Sequence, residues 1–258
     1  MVAQIQSLAP PPPISPPPPR DRSSIEYPST DGEPLAESFL HLYAIFCILE
    51  VLLQYLNGQR AAVLANQFLY YSEGFPNLRA APDVMVMFNV EPGPRDHYKI
   101  WEEGEPPAVV FEVTSPSTKS NDLQGKKVLY HQLGVQEYWL FDPKGEWIKG
   151  QLRGYRFAEE GYVDIPADQA ISQVLGLRLV VEGALLLFER LDTGDRLLTP
   201  QELRAKLADV QEQVEAAAQR AEAEAQRAAE AEAKAAAAEA KAEALAAQLR
   251  ALGIDPTV

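Results

Sequence analysis

Two apolar segments that each carry a carboxylate constrain the fold of this chain more than any other feature. Asp83 precedes the run Val-Met-Val-Met-Phe at 84–88, and Glu112 interrupts an apolar run that begins at Ala108. Short apolar runs of this kind are typical of buried strands. A charge inside such a strand is costly to bury unless it is paired or binds a metal ion. The two acids therefore predict a site that binds a hard divalent cation through carboxylate oxygens.

The remaining pattern between residues 21 and 200 predicts one domain with a mixed sheet flanked by helices. Helices are predicted over 35–57 and over 122–133, with Gly134 in the cap position after the second one. Strands are predicted over 61–64, 68–71, 84–88, 108–114, 137–142, 151–157, 162–165 and 177–187, with turns at 160–161 and 182–183. Helices and strands in this order indicate an α/β or α+β fold class.

The segment 39–56 is long and almost wholly apolar, so it could be a core helix or a membrane-associated one. It contains His41, Glu50 and Gln54 and has a weak basic flank, which favours a core helix. No secretory signal is visible at the N-terminus, and the single Cys47 permits no disulfide within one chain. We therefore expect a cytoplasmic protein without a membrane partner, in which Cys47 is a buried structural thiol.

The charge of the chain argues against tight nonspecific binding to nucleic acid. The formal net charge is −14, and residues 21–198 alone hold 15 Lys and Arg against 26 Asp and Glu, a net of −11. Affinity for nucleic acid comes largely from neutralisation of phosphates by basic side chains. A metal-dependent nuclease can still be acidic, because the bound cation neutralises part of its site.

Both ends of the chain have compositions unlike that of the central domain. Residues 1–20 include eight prolines between 9 and 20, which favours an extended arm. This arm is either a disordered spacer or a ligand for an aromatic groove on a partner. Residues 201–250 contain 21 alanines and neither proline nor glycine, which predicts a long helix over 201–252, followed by a short tail over 253–258.

A heptad pattern runs along the predicted C-terminal helix. Thirteen of its 14 seam positions are apolar, and the exception is Glu224. The seam positions are Leu203, Leu207, Val210, Val214, Ala217, Ala221, Glu224, Ala228, Ala231, Ala235, Ala238, Ala242, Leu245 and Leu249. The pattern predicts a homo-oligomer held together through residues 201–250, and the alternative is a single solvated helix.

Strand and helix geometry indicate which side chains share a site. Side chains alternate across a strand, so Glu112 and Thr114 lie on one face. On the following helix Asp122, Lys126 and Tyr130 are spaced by four residues and lie near one another on one face. Lys126 could therefore project back toward the strand that carries Glu112.

Five segments of the chain together form a recognisable pattern. They are Pro82-Asp83-Val84, Phe-Glu-Val-Thr-Ser-Pro-Ser-Thr at 111–118, Asp122 with Lys126 and Tyr130, Gly-Val-Gln-Glu-Tyr-Trp-Leu-Phe-Asp-Pro at 134–143, and 175–202. In this order they resemble the Uma-two family of restriction-endonuclease-like proteins, which belongs to the PD-(D/E)XK nuclease superfamily. The resemblance covers roughly residues 25–203 and depends on the whole set of segments, not on any single motif.

The resemblance implies an endonuclease that hydrolyses the phosphodiester bonds of DNA with Mg²⁺ or Mn²⁺ and no organic cofactor. Asp83 and Glu112 would be the metal ligands, with the backbone carbonyl of Val113 as a third. Lys126 would orient the attacking water and stabilise charge on the phosphate. It would replace the superfamily's lysine two residues after the acid, where this chain has Thr114.

Glu37 and Asp122 are the supporting acids that the resemblance suggests, although Glu33 could serve in place of Glu37. Each residue also has a structural interpretation. Asp83 could cap a turn, Asp122 could be a helix N-cap or ion-pair partner, and Lys126 could belong to a solvated pair with Lys127. The alternative function is therefore a catalytically inactive nuclease fold that acts as an interaction protein and oligomerises through its C-terminal helix. His41, His97 and His131 lack the spacing of zinc ligands.

Overall fold

The computed structural model describes residues 25–32, 38–114 and 125–253. The predicted proline-rich arm, Glu37, Asp122 and the end of the tail from residue 254 lie outside the described residues. The chain separates into two compact units, the second of which begins at Leu198.

The first unit contains three α-helices, one 3₁₀-helix at Ala167–Gln169 and twelve strands among its described residues. The helices are α1 (Phe39–Tyr55), α2 (Ile100–Glu103) and α3 (Lys127–Gln132). The strands are β1 (Ala61–Leu64), β2 (Leu69–Tyr70), β3 (Arg79–Ala80), β4 (Val84–Phe88), β5 (Tyr98–Lys99), β6 (Val109–Val113), β7 (Glu137–Phe141), β8 (Leu152–Arg156), β9 (Val163–Ile165), β10 (Ile171–Ser172), β11 (Leu177–Glu182) and β12 (Leu185–Arg190).

The central sheet has six strands in the order β1-β4-β6-β7-β8-β9. Strands β6 and β7 run parallel, and the other neighbouring pairs are antiparallel. Two small sheets have the orders β10-β11-β12 and β3-β2-β5. The predicted α+β architecture with a mixed sheet is confirmed.

Apolar side chains cover both faces of the central sheet. On one face, Phe111 and Val113 belong to a core cluster with Ala44 and Ile48 of α1. On the opposite face, Val110 belongs to a second cluster with Tyr130 and Tyr138. Burial on both faces explains why β4, β6 and β7 read as continuous apolar runs rather than as alternating sequences.

Helix α1 is a core helix, as predicted. It begins after Ser38, whose side chain accepts a hydrogen bond of 3.3 Å from the backbone N–H of His41. Its inward side includes Cys47, which is buried as a free thiol. Among the described residues there is no helix with the length and apolarity that a membrane span requires.

The prediction missed the shortest elements of the fold. Strands β3, β5 and β10 have two residues each and α2 has four, which is too few for a hydrophobic period to appear. The predicted turn at 182–183 is confirmed, with Gly183 at φ 61° between β11 and β12. Strand β12 then continues to Arg190, beyond the predicted limit at residue 187.

The second unit contains α4 (Pro200–Ala251), a helix of 52 residues. The predicted long helix is confirmed. Thr199 and Glu202 form a capping box at its start, in which each side chain accepts a hydrogen bond from the other residue's backbone N–H. Along this helix Leu207, Val210 and Val214 expose roughly half or more of their surface.

Candidate active site

The register of β4 against β6 brings the two predicted acids together. Val84 pairs with Phe111, so Asp83 stands just before β4 beside the last residues of β6. The Oδ2 atom of Asp83 accepts a hydrogen bond of 2.7 Å from the backbone N–H of Val113. Asp83 and Glu112 therefore lie at the same end of two neighbouring strands, although 28 residues separate them in the sequence.

Glu112 is fully buried, and two side chains from the segment after β6 donate hydrogen bonds to it. Its Oε2 atom accepts from Nζ of Lys126 at 2.7 Å, and its Oε1 atom accepts from the hydroxyl of Tyr130 at 2.6 Å. The side chain of Lys126 is 17% exposed and that of Glu112 is 1% exposed. The ammonium group thus pairs with a buried carboxylate while part of its side chain remains in contact with solvent.

A π-helical turn at Gly125 and Lys126 leads directly into α3. This segment positions both hydrogen-bond donors to Glu112, the ammonium of Lys126 and the hydroxyl of Tyr130. Lys126 and Tyr130 are four residues apart, a spacing that puts them on one face of a helix. The sequence predicted that Lys126 projects toward the strand that carries Glu112, and the structure shows this contact. Tyr130 was not predicted as a site residue, although the same four-residue spacing from Lys126 was the available signal.

The hydroxyl of Tyr130 stays protonated in this buried environment and therefore remains a hydrogen-bond donor. Burial raises the pKa of Tyr130 well above its usual value, and the charge of Glu112 and the hydrogen bond to it raise the pKa further. The charge of Asp83 raises it as well. The phenol therefore stays protonated at neutral pH and donates its proton toward Glu112.

Thr114 occupies the position at which the superfamily pattern has a lysine. It lies one residue beyond β6 and lines a small cavity with Ser38, His41 and Asp142. Its buried Oγ1 atom makes no hydrogen bond to any residue that the structure describes. Thr114 supplies no positive charge, and among the described residues it is Lys126 that brings a positive charge to Glu112.

Asp142, at the end of β7, is also buried, but backbone amides occupy its carboxylate. Its Oδ1 atom accepts from the N–H groups of Lys144 and Gly145, and its Oδ2 atom accepts from those of Trp147 and Ile148. Four hydrogen bonds of this kind organise a tight loop. Asp142 thus has a structural role between β7 and β8.

Glu137 begins β7 at the opposite end of the parallel strands. Its Oε1 atom accepts from the backbone N–H of Gln173 at 2.9 Å and lies 3.6 Å from the guanidinium of Arg156. These contacts tie β7 to the segment that precedes β11. A buried acid in a strand is therefore not by itself a sign of a catalytic site in this fold.

The carboxylate oxygens beside Lys126 are suitable ligands for a hard divalent cation. Asp83 and Glu112 provide carboxylate oxygens, and Mg²⁺ in proteins is commonly held by one or two carboxylates together with water. The residues that the structure describes contain no cluster of three or more His, Cys, Asp or Glu side chains that could hold a metal. The two carboxylates and the predicted Val113 carbonyl are thus the oxygen ligands that the described chain offers.

Comparisons with known proteins identify the family to which this chain belongs. Residues 17–185 match the model of Uma2, described as "Putative restriction endonuclease". The match spans well over half of the 258 residues, so the chain belongs to this family of nuclease-like proteins. The resemblance found in the sequence is confirmed.

One similar solved structure is the crystal structure of "a putative nuclease belonging to DUF820" from Anabaena variabilis ATCC 29413. It has 16% sequence identity and a TM-score of 0.40, and the match covers 57% of this chain and 81% of that chain. No curated protein is significantly similar to this chain.

Proposed function

We propose that this protein is a divalent-metal-dependent endonuclease that hydrolyses phosphodiester bonds in DNA. The observation that carries the proposal is the buried Glu112–Lys126 pair, which lies beside Asp83 at the ends of adjacent strands. Membership of the nuclease-like family supports the same reaction class. The cation would be Mg²⁺ or Mn²⁺, and the single buried Cys47 supports a reducing cytoplasm as the place of action.

In this proposal Asp83, Glu112 and the carbonyl of Val113 hold the metal. When bound, the cation would polarise the phosphate and lower the pKa of a coordinated water. The backbone N–H of Val113 fixes the carboxylate of Asp83 through the 2.7 Å hydrogen bond. Lys126, held by Glu112, orients the attacking water and stabilises negative charge on the phosphate.

The acidity of the chain makes the role of the cation in DNA binding important. With a net charge of −14, the protein as a whole repels the phosphate backbone. A bound divalent cation neutralises the negative charge of the two carboxylates. We therefore expect affinity for DNA to depend strongly on the metal as well as on the salt concentration.

The test is cleavage of supercoiled and linear DNA by the full chain in Mg²⁺ or Mn²⁺, with Glu112→Gln as the inactive variant. We expect this substitution to reduce the rate by roughly 100-fold or more, because it removes a charged ligand and the partner of Lys126. Glu137→Gln is the matched control, since it changes another fully buried glutamate at the opposite end of the parallel strands. Equal cleavage by the wild type and Glu112→Gln would exclude the proposal.

The second candidate function is that of an interaction protein with an inactive nuclease fold. The net charge of −14 and Thr114 in place of the pattern's lysine favour this function, because both disfavour binding of a phosphate backbone. Calorimetry separates the two candidates. An active site binds Mn²⁺ and loses this binding in Asp83→Asn, whereas an inactive interaction protein binds no Mn²⁺ at this position.

We also propose that α4 joins copies of the chain into a homo-oligomer. Its heptad seam is apolar at 13 of 14 positions, and the larger side chains lie near the two ends. Alanine buries little area, so association would depend mainly on the leucines and valines. This proposal is compatible with either candidate function.

A further inference from the structure

We propose that Tyr130 is a positioning residue whose hydroxyl holds the Glu112 carboxylate in the orientation that leaves it able to bind a cation. The inference rests on the proposed function and adds a residue to it. Tyr130 does not belong to the predicted ligand set, and its side chain acts through Glu112 rather than on the substrate. The observation is the hydrogen bond of 2.6 Å from Tyr130 to Oε1 of Glu112, in which both side chains are fully buried.

The two described hydrogen-bond donors, Lys126 and Tyr130, contact different oxygens of the Glu112 carboxylate. Tyr130 engages Oε1, whereas Lys126 engages Oε2 at 2.7 Å. An ionised carboxylate offers about four lone-pair directions. Because Tyr130 engages Oε1, the ammonium group of Lys126 is held on Oε2 alone. If Lys126 took both oxygens, a cation would have to compete with the ammonium group for each of them.

The ring of Tyr130 is fixed by other aromatic side chains. It packs edge-on against Tyr138 of β7, with ring centroids 5.1 Å apart and planes at 70°. Tyr138 in turn stacks on Tyr155 of β8, with centroids 5.9 Å apart. Since β7 pairs directly with β6, this packing fixes the hydroxyl relative to the strand that carries Glu112.

Loss of the hydroxyl alone should release the carboxylate. In Tyr130→Phe the ring and its packing stay, but Oε1 of the buried Glu112 loses its short, charge-assisted hydrogen bond. The carboxylate is then free to turn toward Lys126 and accept from it with both oxygens. The expected consequence is weaker metal binding, because the ammonium group and the cation then compete for the same oxygens.

The experiment is calorimetric titration of the full chain with Mn²⁺, without DNA. We expect Tyr130→Phe to weaken Mn²⁺ binding by about 10-fold or more, the range known for groups that orient metal ligands. Tyr162→Phe is the matched control, because its hydroxyl donates a 2.7 Å hydrogen bond to the Val135 carbonyl in the same aromatic cluster. Its Mn²⁺ affinity should equal that of the wild type.

A double variant tests the mechanism. If Tyr130 acts by keeping Lys126 off Oε1, the loss of affinity caused by Tyr130→Phe should largely disappear when Lys126→Met is already present. A positioning role also predicts that the KM for DNA at saturating Mn²⁺ changes little, while the Mn²⁺ concentration for half-maximal rate rises.

The outcomes separate this inference from the proposed function. A wild type that binds no Mn²⁺ refutes the metal site itself. If the wild type binds Mn²⁺ and Tyr130→Phe binds it with the same affinity, only the role proposed for Tyr130 is wrong. Equal losses in Tyr130→Phe and Tyr162→Phe, or a loss that persists in full beside Lys126→Met, also overturn it. If Tyr130→Phe fails to fold with and without Lys126→Met, Tyr130 serves stability and the inference is wrong.

Discussion

At the scale of single residues, the buried acids of this protein differ in the groups that donate to them. Backbone amides surround the carboxylate of Asp142, and Glu137 accepts from two backbone amides and from the indole N–H of the buried Trp139. Glu112 instead accepts from the side chains of Lys126 and Tyr130. Side-chain donors can rearrange when a ligand arrives, whereas backbone amides in a tight loop cannot. The hydrogen bonds from the Lys126 ammonium and the Tyr130 hydroxyl therefore distinguish Glu112 from the two structural acids.

Gly154 provides a prediction about packing at a single position. It lies opposite Trp139 in the β7–β8 pair, and a Cβ atom there would lie 2.3 Å from the indole ring. Because Trp139 is itself buried, the ring has little room to move. We expect Gly154→Ala to lower the free energy of unfolding by about 1–3 kcal/mol, measured by urea denaturation.

The cause of this loss can be checked with Trp139→Phe. The clashing atoms belong to the six-membered ring of the indole, which the smaller phenyl ring does not reach in the same way. Gly154→Ala should therefore cost clearly less in the Trp139→Phe background than in the wild type. An equal cost in both backgrounds would mean that the backbone, not the ring, opposes the methyl group.

At the scale of elements, α3 is the part of the candidate site whose stability depends most on the rest of the fold. It has six residues, too few for a helix that is stable by itself. Gly134 ends it at φ 79°, and the next N–H, that of Val135, donates to the carbonyl of Tyr130 at 3.0 Å. The helix that positions the donors to Glu112 thus depends on its glycine cap and on the buried ring of Tyr130.

Replacing Gly134 should reveal this dependence. Space is available for a side chain, because a Cβ atom would meet nothing within 4 Å. Only the left-handed backbone opposes it, so we expect Gly134→Ala to cost about 1–2 kcal/mol of stability in urea denaturation. Gly134→Asn should cost less, because asparagine adopts this conformation more readily. Equal losses for both variants would contradict the backbone explanation.

At the scale of the whole molecule, net charge and exposed apolar surface have opposite effects on the association of copies of the chain. The chain carries a net charge of −14, which disfavours the approach of two copies, and most of this charge belongs to residues 21–198. Helix α4 nevertheless exposes Leu207, Val214 and Leu245 by about 60% each. Burying these side chains between copies is favourable enough to make association through α4 the expected result.

Deletion of residues 204–258 should therefore reduce the molar mass measured by light scattering. The sharper test is the pair Leu207→Glu and Val210→Glu on the seam, which should also dissociate the oligomer. Ala205→Glu and Ala233→Glu are the matched control, because they add the same charge to the opposite side of the helix. An unchanged mass in the deletion variant, or equal dissociation by both pairs, would contradict the coiled-coil prediction.

The sequence by itself determined the features that depend on local order. Apolar runs predicted β4, β6 and β7, and the absence of proline and glycine over 201–250 predicted α4, because period and propensity act over neighbouring residues. Family resemblance predicted the nuclease-like class from motifs in order.

Only the tertiary structure decided which side chains meet. The pairing of Val84 with Phe111 sets Asp83 beside Val113, and the packing of α3 on the sheet sets Lys126 and Tyr130 on separate oxygens of Glu112. Strand order, register and helix packing are long-range properties, and local periodicity does not encode them. For this reason the sequence indicated the candidate acids and the lysine, whereas the role of Tyr130 emerged from the fold.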